Sequence, residues 1–113
     1  MSENKDVSLK PLVIDLPLDK TDYFEILGRG DAATMRSGLV TLQPGRDVGS
    51  HSTDDYEEIL VVLEGSGVIE TAGNGRQSIK RGQAAYNPPH TQHNVINTSS
   101  GILKYIYIVA RTC

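Results

Sequence analysis

Short apolar segments separated by clusters of glycine, proline and asparagine set the rhythm of this chain, and no helical spacing of apolar residues is sustained over ten positions. Tyr23-Phe24-Glu25-Ile26-Leu27 reads as a strand that stops at the turn-forming cluster Gly28-Arg29-Gly30-Asp31. Met35 to Gln43 is the next strand and ends at Pro44-Gly45, a pair suited to a type II turn. In Glu58 to Leu63 alternate residues share a face, with Glu58, Leu60 and Val62 on one side and Ile59, Val61 and Leu63 on the other. Val68 to Ala72 and Arg76 to Lys80 form a hairpin about Gly73-Asn74-Gly75, where Asn-Gly favours a primed turn. Gly82 to Tyr86, His93 to Asn97 and Ile102 to Ala110 complete the series; both faces of the last are mostly apolar, as expected of a strand covered on both sides.

The N-terminal part behaves differently. Residues 1 to about 10 are polar and read as a mobile arm, and Leu12 to Leu18 is apolar but interrupted by Pro11 and Pro17. Proline withholds a ladder donor, so the segment is an edge strand at best, or a piece exchanged with a second subunit. The expected division is therefore an arm over 1–20, carrying that edge or swapped strand, and a barrel over 21–113.

Composition narrows the class. A chain of 113 residues with 11 Gly and 5 Pro is long enough for one packed domain and rich enough in turns to favour an all-β fold. Net charge is -3, and Lys and Arg are scattered along the sequence, so no nucleic-acid footprint is expected. The only cysteine is Cys113, which excludes an intrachain disulfide and agrees with a reducing compartment. The polar start and the lack of any run of membrane-spanning length lead to the expectation of a cytoplasmic protein without a membrane partner.

The candidate chemistry lies in two stretches. In Gly45 to Gly65, His51 and Thr53 lie two apart and should face the same way, while Glu58 heads an otherwise apolar face and needs a cation or a surface position. In Gly82 to Asn97, His93 opens a strand whose Val95 and Asn97 share its direction. If the strands close into a barrel, His51, Glu58 and His93 converge.

These stretches resemble the two motifs of the cupin superfamily. Gly45, His51, Glu58 and Gly65 fit the first at its spacing, and Gly82, Pro88, His93 and Asn97 fit the second. The resemblance implies a small antiparallel jelly-roll barrel, or double-stranded β-helix, often a homodimer, with one divalent metal held by three histidines and a glutamate. Carried over position by position, His51, Glu58 and His93 match ligands. Thr53 stands where the second histidine belongs, and His90 replaces the glycine of the second motif.

Thr53 is a poor ligand for a divalent transition metal but can hydrogen-bond metal-bound water. Two imidazoles and one carboxylate still suit non-haem iron or an open zinc site, and Fe, Mn, Zn, Ni and Cu are not distinguished by that donor set. His90 either swings in as the missing imidazole or simply tolerates a left-handed turn in place of glycine. Glu57 competes with Glu58, but strand alternation sends it outward. Tyr86, Tyr105, Tyr107 and Gln92 are candidates to line a pocket, or, for the tyrosines, to fill the core.

The expected function is binding of a metal together with a small organic ligand. As an enzyme, such a centre suits a dioxygenase or an isomerase; the alternative is a non-catalytic module that senses or stores a small molecule or metal. Metal-independent sugar-nucleotide epimerisation also occurs on the fold, but the sequence shows no clear basic pocket for phosphates.

Overall fold

A computed structural model describes residues 9–112. The mobile-arm expectation for the first residues, and Cys113, lie outside them. Among the described residues nine strands run in the order β1 (Tyr23–Leu27), β2 (Met35–Leu42), β3 (His51–Ser52), β4 (Tyr56–Glu64), β5 (Ser66–Thr71), β6 (Gly75–Lys80), β7 (Ala84–Asn87), β8 (Gln92–Ile96) and β9 (Leu103–Arg111). They form a five-stranded sheet, β1-β2-β9-β4-β7, and a four-stranded sheet, β3-β8-β5-β6. Every strand pair is antiparallel. The fold is the expected all-β double-stranded β-helix, and no helix among the described residues is long and apolar enough to cross a membrane.

Alternation places the core between the sheets. Along β4, Glu58, Leu60 and Val62 are buried while Glu57, Ile59 and Val61 are exposed, the division predicted from the sequence. Leu60 and Val62 join Leu42, Ile69, Ile79, Val95, Leu103 and Tyr105 in one cluster. Near-complete burial of a leucine or valine is worth roughly 1.5–3 kcal/mol, so these eight residues dominate the cohesion of the two layers.

The turns follow their residues. Arg46 N donates to Gln43 O at 3.1 Å with Gly45 at φ +81°, the predicted type II turn. The β5–β6 hairpin sits where Gly73-Asn74-Gly75 put it, but the turn differs. Asn74 N donates to Thr71 O, Thr71 pairs with Gly75, and positive φ falls on Gly73 and Gly75 rather than on Asn74. A type I′ turn needs positive φ at both central residues; here the flanking glycines adopt that backbone more readily, and the loop spans three residues.

The N-terminal segment forms no strand among its described residues. Instead its end, residues 18–20, lies against the outer face of the five-stranded sheet. The Thr41 N–H donates to Asp22 O at 3.0 Å and the Thr41 hydroxyl to Lys20 O at 3.1 Å. Lys104, buried on β9, donates its ammonium to Leu18 O and Lys20 O. Carbonyls that would otherwise face an edge ladder are thus spent on a buried lysine, and Pro11 and Pro17 leave no ladder to continue.

Candidate metal and ligand site

The site is assembled across the two sheets. β3 and β8 pair antiparallel with His51 directly opposite His93, so both rings stand on one face, their centroids 4.3 Å apart and their planes tilted by 58°. Glu58 comes from β4 in the other sheet and is buried, as is His93, whereas His51 remains exposed.

Hydrogen bonds fix the two rings in the same way. His93 Nδ1 lies 3.0 Å from Thr91 O, and His51 Nδ1 lies 2.9 Å from Gly49 O. A carbonyl only accepts, so each Nδ1 carries the proton and each Nε2 is presented away from its own backbone. His93 Nε2 lies 3.0 Å from Glu58 Oε1, which also accepts from Asn87 Nδ2 at 2.9 Å. Burial by itself lowers the basicity of His93. The hydrogen bonds to Glu58 and Thr91, with the Glu58 charge, outweigh that effect and raise the pKa above its ordinary value.

The chemistry of the donors fits a divalent transition metal. An imidazole nitrogen and a carboxylate oxygen 3.0 Å apart, His93 Nε2 and Glu58 Oε1, are donor types that such an ion would take. Backbone acceptors on both Nδ1 atoms are the supports that metal-bound imidazoles use. The third donor is not in position: among the described residues, no group of three or more His, Cys, Asp or Glu side chains is arranged to hold an ion. The site as it stands is a two-donor edge with the His51 ring beside it.

The other predicted residues divide around this edge. Thr53 is buried, but its hydroxyl donates to Pro88 O at 2.7 Å and accepts from Thr91 N at 3.0 Å, so it clips the 88–91 loop. His90 takes φ +55°, the left-handed turn that a glycine would fill, and its exposed ring lies 3.7 Å from Asp55. Glu57 points outward and accepts from the exposed Tyr86 hydroxyl at 2.8 Å. Gln92 bonds Ser50 Oγ at 2.8 Å on the exposed side of β8.

Between the sheets lies a cavity of about 510 Å³ with His51, Glu58 and His93 in its wall. Val40, Leu42, Leu60, Val95 and Val109 make it predominantly apolar, and Tyr105 and Tyr107 line it too. Burial is the main cause that raises the pKa of both phenols well above the usual tyrosine value. Tyr107 also shares a 2.7 Å hydroxyl–hydroxyl contact with Tyr23. A larger cleft of about 650 Å³, between the β5–β6 hairpin and β7, contains Tyr86 but none of the three candidate ligands. Apolar walls with a few convergent polar groups make the interior cavity the better ligand site.

Sequence reasoning missed Asn87. It lies just past the expected Gly82–Tyr86 strand, whereas the register Glu58↔Asn87 makes it the buried partner of the carboxylate. Only the pairing of β4 with β7 reveals this.

Two antiparallel sheets folded into a double-stranded β-helix, with a ligand-sized interior and histidines facing a glutamate across it, define a barrel of the small-molecule- or metal-binding kind. The Cupin domain family matches residues 38–109, well over half of the chain, and the chain belongs to that family. Among solved structures, a Bacillus halodurans protein is similar with a TM-score of 0.77 and 22% identity, over 90% of this chain and 82% of that one. An RmlC-like cupin family protein with a double-stranded β-helix fold from Methanocaldococcus jannaschii is similar at 0.73 and 16% identity, over 90% and 92%. The Cnp3 cupin domain of Schizosaccharomyces pombe is similar at 0.71 and 11% identity, over 79% of this chain and 63% of that one, so this chain spans less than two thirds of that protein's length. At these identities the likeness shows the shared fold. No curated protein matches the chain.

Proposed function

We propose that this cupin binds one divalent metal ion through His51, Glu58 and His93, together with a small organic ligand in the cavity they border. The observation that carries the reading is the pairing of His51 with His93 on one face, ring centroids 4.3 Å apart, with Glu58 Oε1 3.0 Å from His93 Nε2. When bound, the metal acts as a Lewis acid toward a ligand oxygen. The chain's own residues do the rest. Gly49 O and Thr91 O hold the imidazole tautomers, Asn87 holds Glu58, and the apolar wall keeps water from the ligand. Tyr105 and Tyr107 remain protonated there.

Two exposed apolar residues on β4, Ile59 and Val61, with Tyr86 beside them on β7, support a homodimer through the outer face of the five-stranded sheet.

Metal analysis of protein purified without added metal, followed by titration with Fe(II), Mn(II), Zn(II), Ni(II) and Cu(II), tests the proposal. Stoichiometric binding that is lost in both His51→Ala and His93→Ala is expected. Absence of stoichiometric metal after every addition would sink it. A binding or sensing role without turnover uses the same residues; oxygen uptake by iron-loaded protein over diols, thiols and diketones separates the two.

A further inference from the structure

The fold gathers what the sequence scatters. Arg29, from the turn after β1, Arg36 on β2 and Arg111 at the end of β9 line one cleft of about 320 Å³ at the rim of the barrel, with Tyr56 between them. Among the described residues no carboxylate lines that cleft, although the chain carries 14 acidic and 11 basic residues. None of the three guanidiniums has an ion-pair partner among the described residues, where the acids that do pair engage Lys20, Arg76, His90 and His93. The sequence showed no clear basic pocket because these arginines are up to 82 positions apart (111 minus 29).

Arg36 is the informative member. It is half-buried, and it stands opposite Val109 on the inward-facing side of the sheet. Its guanidinium carbon lies 5.6 Å from the centroid of the Tyr56 ring, a cation–π contact that holds the planar fork in place before any ligand arrives. Arg36 and Tyr56 also line a second cleft of about 270 Å³ that contains His51, Glu58 and His93. The arginine cleft thus shares Arg36 and Tyr56 with the second cleft, which in turn shares His51, Glu58, His93, Tyr107 and Val109 with the interior cavity.

We propose that Arg29, Arg36 and Arg111 form an oxyanion site that holds the charged head of the ligand, so that the ligand is an organic anion with an apolar body. Unpaired like charges in one cleft repel, and a phosphate or carboxylate there relieves that repulsion while accepting charge-assisted, bidentate hydrogen bonds. The arginines hold the charged head at the rim, and the predominantly apolar wall of the interior cavity suits the uncharged body. The anion site stands on the arginines alone; the path of the body rests on the ligand reading given above.

Calorimetry and amide chemical-shift mapping with inorganic phosphate, hexanoate and hexan-1-ol test this on the full chain. Phosphate and hexanoate should each bind and lose about tenfold in affinity in R36Q and again in R111Q, with added salt weakening both. Arg111 lies exposed at a strand end, so R111Q keeps the test open should R36Q fail to fold. R36K, which keeps the charge but loses the fork, should fall between wild type and R36Q. Hexan-1-ol affinity should not respond to R36Q. Phosphate binding that survives both arginine substitutions, or that is lost in H51A instead, overturns the proposal. Arginine-dependent phosphate binding without any hexan-1-ol binding upholds the anion site and removes the cavity from the reading.

Discussion

Removing the Thr53 hydroxyl by Thr53→Val should cost stability and leave metal affinity almost unchanged. Thr53 is buried, and its oxygen both donates to Pro88 O at 2.7 Å and accepts from Thr91 N at 3.0 Å. Valine keeps the shape and strands both partners. Each orphaned group costs about 1–2 kcal/mol where it is partly screened by solvent, so the sum is about 2–4 kcal/mol. For a domain of this size that corresponds to a fall of roughly 8–16 °C in melting temperature. Thermal and urea unfolding followed by circular dichroism measures it, with metal titration of the same variant in parallel. A loss below about 0.5 kcal/mol, the scale of an ordinary surface change, would refute the loop-clip role. Unchanged stability with weakened metal binding would assign the hydroxyl to metal-bound water instead. Thr53→His cannot reproduce the paired bonds, so any gain in metal affinity should come with the same loss of stability.

Two further outcomes are expected. Tyr105 and Tyr107 have folded pKa values raised above the unfolded value near 10.0. Their contribution to stability is therefore complete below pH 10 and is lost as pH rises above it, where the unfolded chain releases protons that the folded chain keeps. The slope is about 1.4 kcal/mol per pH unit for each group. Urea unfolding between pH 9 and 12 should show this decline, and Tyr105→Phe should flatten it; an unaltered slope in that variant would contradict the assignment. On the outer sheet face, Ile59→Glu places a charge among exposed apolar residues. Light scattering should then report a monomer where the wild type is a dimer, and a monomeric wild type would dismiss that interface.

Local signals in the sequence carried every strand but the two-residue β3, and they singled out the three candidate ligands. Alternation in β4, the Pro44-Gly45 turn and the two spaced motifs each depend on neighbours within a few residues, and the eight expected strands fall within a residue or two of their expected bounds. Whatever depends on pairing between distant strands stayed hidden. Asn87 meets Glu58 only through the β4–β7 register, and the arginines meet only once β2 and β9 lie side by side. The Leu12–Leu18 segment looked like an edge strand because nothing nearby shows that Lys104, more than 80 residues away, captures the carbonyl at its end, Leu18 O, and that of Lys20 beyond it. Thr53 signalled a departure from the ligand pattern, but its loop partners lie 35 and 38 positions downstream.

The place of β9 bears on how quickly the barrel forms. It is the last of the nine strands in sequence and lies between β2 and β4 in the larger sheet. No local hairpin can stand in for it, so β2 and β4 keep bare edges until a strand 40 to 75 residues distant closes both ladders at once. Loop closure of that length precedes any gain from pairing, which makes folding slow for a chain of this size and leaves two apolar edges open to other chains in the interval. Shielding those edges during synthesis should raise the soluble yield more than added native-state stability would.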